Sequence, residues 1–241
     1  MTGAKLLLGL DEDGKGLCTD LHKAPHVLIS GVHGSGKTNF LKAVIVSLIS
    51  KAKTYPLILD GTEQRLANIY RGVPFIYSYG SETNFRNLYN VNLTLRKRIS
   101  EINDKGLANI SGTTNNSMYV IVNNIEELIS QKPDAELLLA NLREFGEKAG
   151  IHIILCMENM ETGAYTRRLQ ASIPVRICFK MKNASQSLMV LESEGAESLF
   201  GNGDMLFLGN GSDKPIRVQS TYFSDADEER YASMIERANR K

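Results

Sequence analysis

The sequence predicts an α/β fold with a central, mostly parallel sheet flanked by helices. Three observations carry that expectation. Short apolar strand-like runs alternate with segments of helical period, the pattern of a parallel sheet covered on both faces. A glycine-rich loop stands between the first of those strands and the first of those helices. Near the C-terminus two β-rich runs flank a Gly-Asn-Gly-Ser turn, which reads as a hairpin.

The elements follow in order. Val27-Leu28-Ile29 is an apolar strand that ends in glycines. Phe40, Leu41, Val44, Ile45, Leu48 and Ile49 then recur at helical spacing, so one helix face is buried. Leu57-Ile58-Leu59-Asp60 is a second strand, closing in an acid before Gly61, and Phe75-Ile76-Tyr77 is a third. A helix is expected over Asn84–Asn103, and Ser111–Ser117 is a polar loop. Tyr119-Val120-Ile121-Val122 is a β-branched strand ending at Asn123. A helix over Ala135–Lys148 is opened by Pro133-Asp134 and closed by Gly150, with Leu138, Leu142 and Phe145 as its inner face. Ile151–Leu155 and Val175–Phe179 are further strands, and Met205–Leu208 with Ile216–Gln219 form the hairpin. Ser224 and Asp227 have capping-box spacing for a last helix.

Composition bounds the function classes. The chain has 241 residues, 42% hydrophobic and 23% charged, enough for one large domain without disulfides. Sheet elements run from Val27 to Gln219 with no linker, so residues 1–241 are expected to form a single domain. Lys and Arg number 28 against 27 Asp and Glu, a net charge of +1, which argues against binding nucleic acid through excess positive charge. No apolar run approaches the roughly 20 residues of a membrane span. Cys18, Cys156 and Cys178 lack metal-type spacing and read as reduced, buried thiols of a cytosolic protein.

The sharpest motif is Gly31-Val32-His33-Gly34-Ser35-Gly36-Lys37-Thr38. It is a complete G-x-x-x-x-G-K-[ST] loop, set between a strand and an amphipathic helix as its chemistry requires. The glycines let successive backbone N–H groups face one cavity, and the helix N-terminus adds partial positive charge there. Lys37 would meet the β- and γ-phosphates of ATP, and the Thr38 hydroxyl would help hold Mg²⁺. His33 reads as a variable loop position.

Such loops work with a carboxylate at the end of a neighbouring strand that holds the Mg²⁺ shell. The strand in question ends Asn123-Asn124, two amides where two carboxylates are wanted. An amide carries no charge to offset a metal and is no base. Glu126 and Glu127 follow and read as a helix start. Asp60 has two equal readings, approaching the phosphates or closing its strand. Loss of a general base costs a factor of about 10²–10⁴ in rate. Weak nucleotide and Mg²⁺ binding with negligible hydrolysis is expected.

These residues resemble the FtsK/SpoIIIE family of RecA-like ATPase domains over nearly the whole chain. The resemblance rests on Pro25–Thr38, Ala149–Leu155, Ile173–Phe179, Gly195–Phe207 and Lys214–Gln219. It implies a RecA-like P-loop fold, and the departures matter as much as the matches. The family's Walker B strand ends in Asp-Glu where Asn123-Asn124 stand here. After its sensor strand the family carries Thr-Gln-Arg-Pro or similar, where Met157-Glu158-Asn159-Met160 stand here. A carboxylate at Glu158 would repel a γ-phosphate that an amide would hold.

Degenerate domains of this kind occur late in the tandem ATPase arrays of type VII secretion coupling proteins, the EssC/EccC group. That likeness implies a domain at the cytoplasmic face of the bacterial membrane, cut from a longer chain. Its partners would be neighbouring ATPase domains and secreted helical-hairpin substrates, with a possible hexamer in the full assembly. The alternative is an active DNA translocase motor, against which the charge balance and Asn123-Asn124 both count. Met157, Met160 and Tyr165 mark a candidate surface for a substrate peptide, although core or loop packing is the simpler reading.

Overall fold

A computed structural model describes residues 5–20, 25–50, 56–61, 77–110, 117–158, 173–227, 229–231 and 233. Ten strands form one sheet. They are β1 (Lys5–Asp11), β2 (Gly16–Asp20), β3 (His26–Ser30), β4 (Leu57–Asp60), β5 (Tyr77–Tyr79), β6 (Met118–Asn123), β7 (Ile151–Met157), β8 (Val175–Phe179), β9 (Asp204–Leu208) and β10 (Ile216–Ser220). Their order across the sheet is β2-β1-β10-β9-β8-β3-β7-β6-β4-β5. The six strands from β8 to β5 run parallel. The other four attach antiparallel at the β8 edge.

The helices are α1 (Lys37–Ser50), α2 (Ser81–Asp104), α3 (Ile125–Gln131), α4 (Ala135–Phe145) and α5 (Ala184–Leu191). The pleat sends alternate residues of each central strand to opposite faces, and two separate cores result. Val27 and Ile29 of β3 pack with Ile121, Ile154 and Cys156 against Phe40, Leu41, Val44, Ile45 and Leu48 of α1. Leu28, between them in sequence, packs on the other face with Val120, Val122, Ile153 and Leu155, and with residues of α2, α3 and α4. Each fully buried aliphatic or aromatic side chain in these layers contributes roughly 1.5–3 kcal/mol from removal of apolar surface. The all-apolar strands predicted from sequence are therefore buried on both faces.

Several expectations are corrected. The sheet begins at Lys5, ahead of Val27: β1 and β2 form a hairpin through a turn at 12–15. The fourth helix ends at Phe145, three residues earlier than expected, and Phe145 is 40% exposed while Leu139 fills the inner face. Cys18 is exposed, whereas Cys156 and Cys178 are buried. Phe75, Ile76, residues 111–116, Met160 and Tyr165 lie outside the described residues. Met157 is only 3% exposed, which makes it core and removes it from any peptide-binding surface. The hairpin of β9 and β10 stands as expected. So does the capping box: the Ser224 backbone N–H donates to Asp227 and the Asp227 N–H donates to the Ser224 hydroxyl.

Register sets where chemistry can occur. Ser30 lies level with Met157 and Cys178, Asn123 with Cys156, and Asp60 with both Asn123 and Tyr79. The C-terminal ends of the parallel strands thus form one edge, the place where open α/β sheets bind ligands.

Candidate functional site

The loop from Gly31 to Lys37 leaves the C-terminal end of β3 and enters α1. Its conformation requires glycine at two tight points. Gly31 has φ +155, and a Cβ there would lie 2.6 Å from the Phe179 Cβ. Gly36 has φ +112, and a Cβ there would lie 2.6 Å from the Gly203 backbone nitrogen. Gly203 holds the loop from below, its N–H donating to the Ser35 carbonyl at 3.0 Å while its own carbonyl accepts from the Ser220 N–H at 2.8 Å. The Val32 N–H donates to the Lys180 carbonyl at 2.8 Å. The segment Gly201-Asn202-Gly203-Asp204 is therefore a buttress for the phosphate loop. Arg217 fixes that segment by donating to both Asp204 oxygens, at 3.0 and 2.7 Å.

Lys37 is 7% exposed. Its ammonium donates to the Gly31 carbonyl at 2.6 Å and the Val32 carbonyl at 2.9 Å, and lies 3.3 Å from Glu158 Oε1. Burial pulls the ammonium below its ordinary value, and the Glu158 carboxylate opposes that shift. Glu158 also approaches the His33 ring at 3.7 Å, an ion pair only when that ring is protonated. The Glu158 backbone N–H donates to Glu126 Oε1 at 2.5 Å. Glu126, in the first turn of α3, does start a helix as expected. Sequence reading missed its second role, anchoring the residue that faces Lys37 across 32 positions.

The strand ends settle the two readings of Asp60. It is fully buried and accepts from the Asn123 side-chain amide at 2.9 Å and from the Tyr77 hydroxyl at 2.8 Å. Asn84 donates to the Asp60 backbone carbonyl at 2.9 Å, and the Ser78 hydroxyl donates to Asn84 at 2.6 Å. Asp60 is thus the centre of a buried network beside the phosphate loop's cleft, with Asn123 its neighbour on β6. Burial and the Asp60 bond push the Tyr77 hydroxyl far above its ordinary value. Asn124 has left-handed backbone, φ 58 and ψ 65, at the N-cap of α3, which Asn tolerates better than most side chains.

A cleft of about 290 Å³ unites His33, Lys37, Thr38, Asn123, Asn124 and Glu158, with Gly61, Tyr79, Cys156 and Met157. Asn123, Asn124 and Glu158, expected to mark the altered site, therefore lie on one cleft, and Asn159 and Met160 lie outside the described residues. The residues fit a phosphate group: a strand-to-helix loop of backbone donors, a buried lysine, and the Ser35 hydroxyl, which is 2% exposed and has no protein partner. The fit to Mg²⁺ is thinner. Thr38 can offer one oxygen and Asn123 an uncharged amide, and among the described residues no cluster of three metal-ligating side chains exists. A magnesium ion here would rest chiefly on the oxygens of bound phosphates.

Residues 2–81 match the family model described as FtsK/SpoIIIE family. The DNA translocase FtsK of Oceanobacillus iheyensis is 32% identical over 260 residues, a match covering 94% of this chain and 32% of that protein. The chain thus spans about a third of the curated relative it matches. Among solved structures, EssC (ATPases 2 and 3) from Geobacillus thermodenitrificans superposes with TM-score 0.82 at 15% identity, over 98% of this chain and 49% of that one. The cytoplasmic domain of the Thermomonospora curvata type VII secretion ATPase EccC gives 0.77 at 20%, over 92% of this chain and 29% of that one. At these identities the structural likeness speaks to the fold, a RecA-like P-loop domain. With the intact phosphate loop, its Gly203 buttress and the match of residues 2–81 to the family model, this chain is similar to the FtsK/SpoIIIE family.

Proposed function

We propose that this chain is a degenerate P-loop domain of a type VII secretion coupling protein. It binds nucleotide and Mg²⁺ weakly, turns over little or none, and acts in substrate recognition or in regulating neighbouring ATPase domains. One observation carries the reading. The end of β6, where the metal-side carboxylate belongs, holds Asn123, and its amide is bonded to the buried Asp60. Among the described residues the carboxylate beside the phosphate-loop lysine is Glu158, 3.3 Å from its ammonium, which it pairs with and neutralises.

The setting follows from the likeness to multi-ATPase proteins such as EssC (ATPases 2 and 3). The parent protein would lie at the cytoplasmic face of the membrane, with this domain beside sister ATPase domains, in a hexamer in the full assembly. Its cargo would be secreted helical-hairpin proteins. Among the described residues no helix is long and apolar enough to cross a membrane. A second reading, an active DNA translocase motor, is favoured by the names of curated relatives such as the FtsK protein above.

One pair of assays separates the two. Phosphate release is measured with the domain alone and with duplex DNA, and helical-hairpin substrates are captured on immobilised domain. Background release with and without DNA, together with capture, is the expected result. DNA-stimulated release would establish the motor reading instead.

A further inference from the structure

We infer that Glu158 makes this cleft selective for a nucleoside diphosphate over a triphosphate. The inference rests on the reading of the phosphate loop as a nucleotide site. An ammonium has three donors. In Lys37 three acceptors stand within reach: Gly31 O at 2.6 Å, Val32 O at 2.9 Å and Glu158 Oε1 at 3.3 Å. The two carbonyls belong to the loop itself. The third partner is a carboxylate, an anion already placed at the end of the lysine that a terminal phosphate would meet.

The backbone that carries that carboxylate is held in place. The backbone N–H of Glu158 is tied to Glu126 at 2.5 Å, and Glu158 follows directly on buried Met157 at the end of β7. Its carboxylate lines the same cleft as Lys37, Thr38 and Asn123. A triphosphate must either displace Glu158 from Lys37 or set its last phosphate against the Glu158 carboxylate. A diphosphate shares Lys37 through its second phosphate but brings no third phosphate against that carboxylate. Its terminal group is held by the loop's backbone donors and the α1 N-terminus, none of which is engaged by Glu158. Asn123 does not correct the balance, since it adds no charge for a metal bridging the second and third phosphates.

The test is calorimetric titration of the 241-residue chain with ADP and with a non-hydrolysable ATP analogue, each with Mg²⁺. The parent is expected to bind ADP at least about tenfold more tightly than the analogue. Glu158→Gln keeps shape and polarity but removes the charge. It is expected to tighten the analogue about tenfold and to move ADP by less than about threefold. Glu158→Ala repeats the charge removal with a different shape, and unchanged melting midpoints confirm that both variants fold. Equal affinities in the parent, a ratio unmoved in both variants, or no binding of either nucleotide at millimolar concentration would each overturn the inference. DNA-stimulated turnover, measured separately, would overturn the degenerate-site reading whatever the ratio, so the two failures are distinct.

Discussion

Changing Asn123 to Asp puts a carboxylate where a working P-loop enzyme keeps one, and the fold resists it. The Asn123 amide donates to Asp60 Oδ1 at 2.9 Å, Asp60 is fully buried, and Asn123 is 9% exposed. The substitution deletes the donor, a loss of about 1.5–3 kcal/mol for a hydrogen bond to a charged group. It also sets two carboxylates in contact. At about 4 Å and an effective dielectric constant near 20, like charges cost about 4 kcal/mol, and sharing one proton relieves only part of that at neutral pH. A net destabilisation of about 3–6 kcal/mol at pH 7 follows. At about 2–4 °C per kcal/mol for a chain of this size, the melting midpoint drops by roughly 6–24 °C. The deficit shrinks on acidification, because the folded variant then takes up the shared proton at less cost.

The partner variant makes the argument specific. With Asp60→Asn added, donor and acceptor exchange places. The new amide at 60 donates to the new carboxylate at 123, and its carbonyl still accepts from the Tyr77 hydroxyl. The double variant should therefore recover to within about 1 kcal/mol of the parent, a strong departure from additivity. It also carries its charge at the end of β6, so Mg²⁺ should strengthen nucleotide binding more than in the parent. Thermal melts by circular dichroism at pH 5 and pH 7 measure the first part, and titration with and without Mg²⁺ measures the second. If Asn123→Asp melts with the parent at both pH values, or if the double variant is no more stable than Asn123→Asp, the buried network does not have the energetics assigned to it.

Three further outcomes follow from other parts of the structure. Burial, then repulsion from His152, pulls His26 down to about 4, below its unfolded value near 6.5. The unfolded chain therefore binds a proton that the folded chain refuses. This term is absent above pH 6.5 and removes on the order of 3 kcal/mol as pH falls from 6.5 to 4; chemical denaturation across that range should show the slope, and His26→Gln should flatten it. Gly36→Ala drives a Cβ to 2.6 Å from the Gly203 nitrogen at φ +112, so urea titration should show a loss of more than about 2 kcal/mol, together with loss of nucleotide binding. Maleimide should label Cys18 alone in the native chain and all three cysteines in denaturant, since Cys156 and Cys178 are buried and burial pushes their thiols far up.

Local features were legible in the sequence and pairings across the sheet were not. The phosphate loop reads directly because its requirements lie within eight consecutive residues, Gly31–Thr38, and concern backbone shape. The central strands read well because burial on both faces leaves few polar positions, among them His152 and Arg176. β1 and β2 went unread although Asp13-Gly14 is a hairpin-turn signal, because Gly9 interrupts the apolar run of β1 and the edge strand β2 is mixed in character. Phe145 was misplaced because helical period alone does not say that the chain leaves the core at the end of α4. Asp60 offered two equal readings since its partners, Tyr77 and Asn123, lie 17 and 63 residues away. Glu126 likewise gave a true local signal, a helix start, that concealed a long-range one.

Negative charge gathers at the strand ends beside the phosphate loop. Asp60, Glu126 and Glu158 form a line of carboxylates behind and beside the phosphate loop, against one buried ammonium, Lys37. A hydrolysing site uses such carboxylates through a metal, which converts their charge into attraction for phosphate. Here Asp60 is spent on Asn123 and Tyr77, Glu126 on a backbone N–H, and Glu158 on Lys37 itself. Each acid has a partner within the protein, although Glu126 keeps one buried oxygen with no hydrogen-bond partner. Under the proposed function, this internal pairing lets the phosphate loop persist as architecture beside neighbouring ATPase domains.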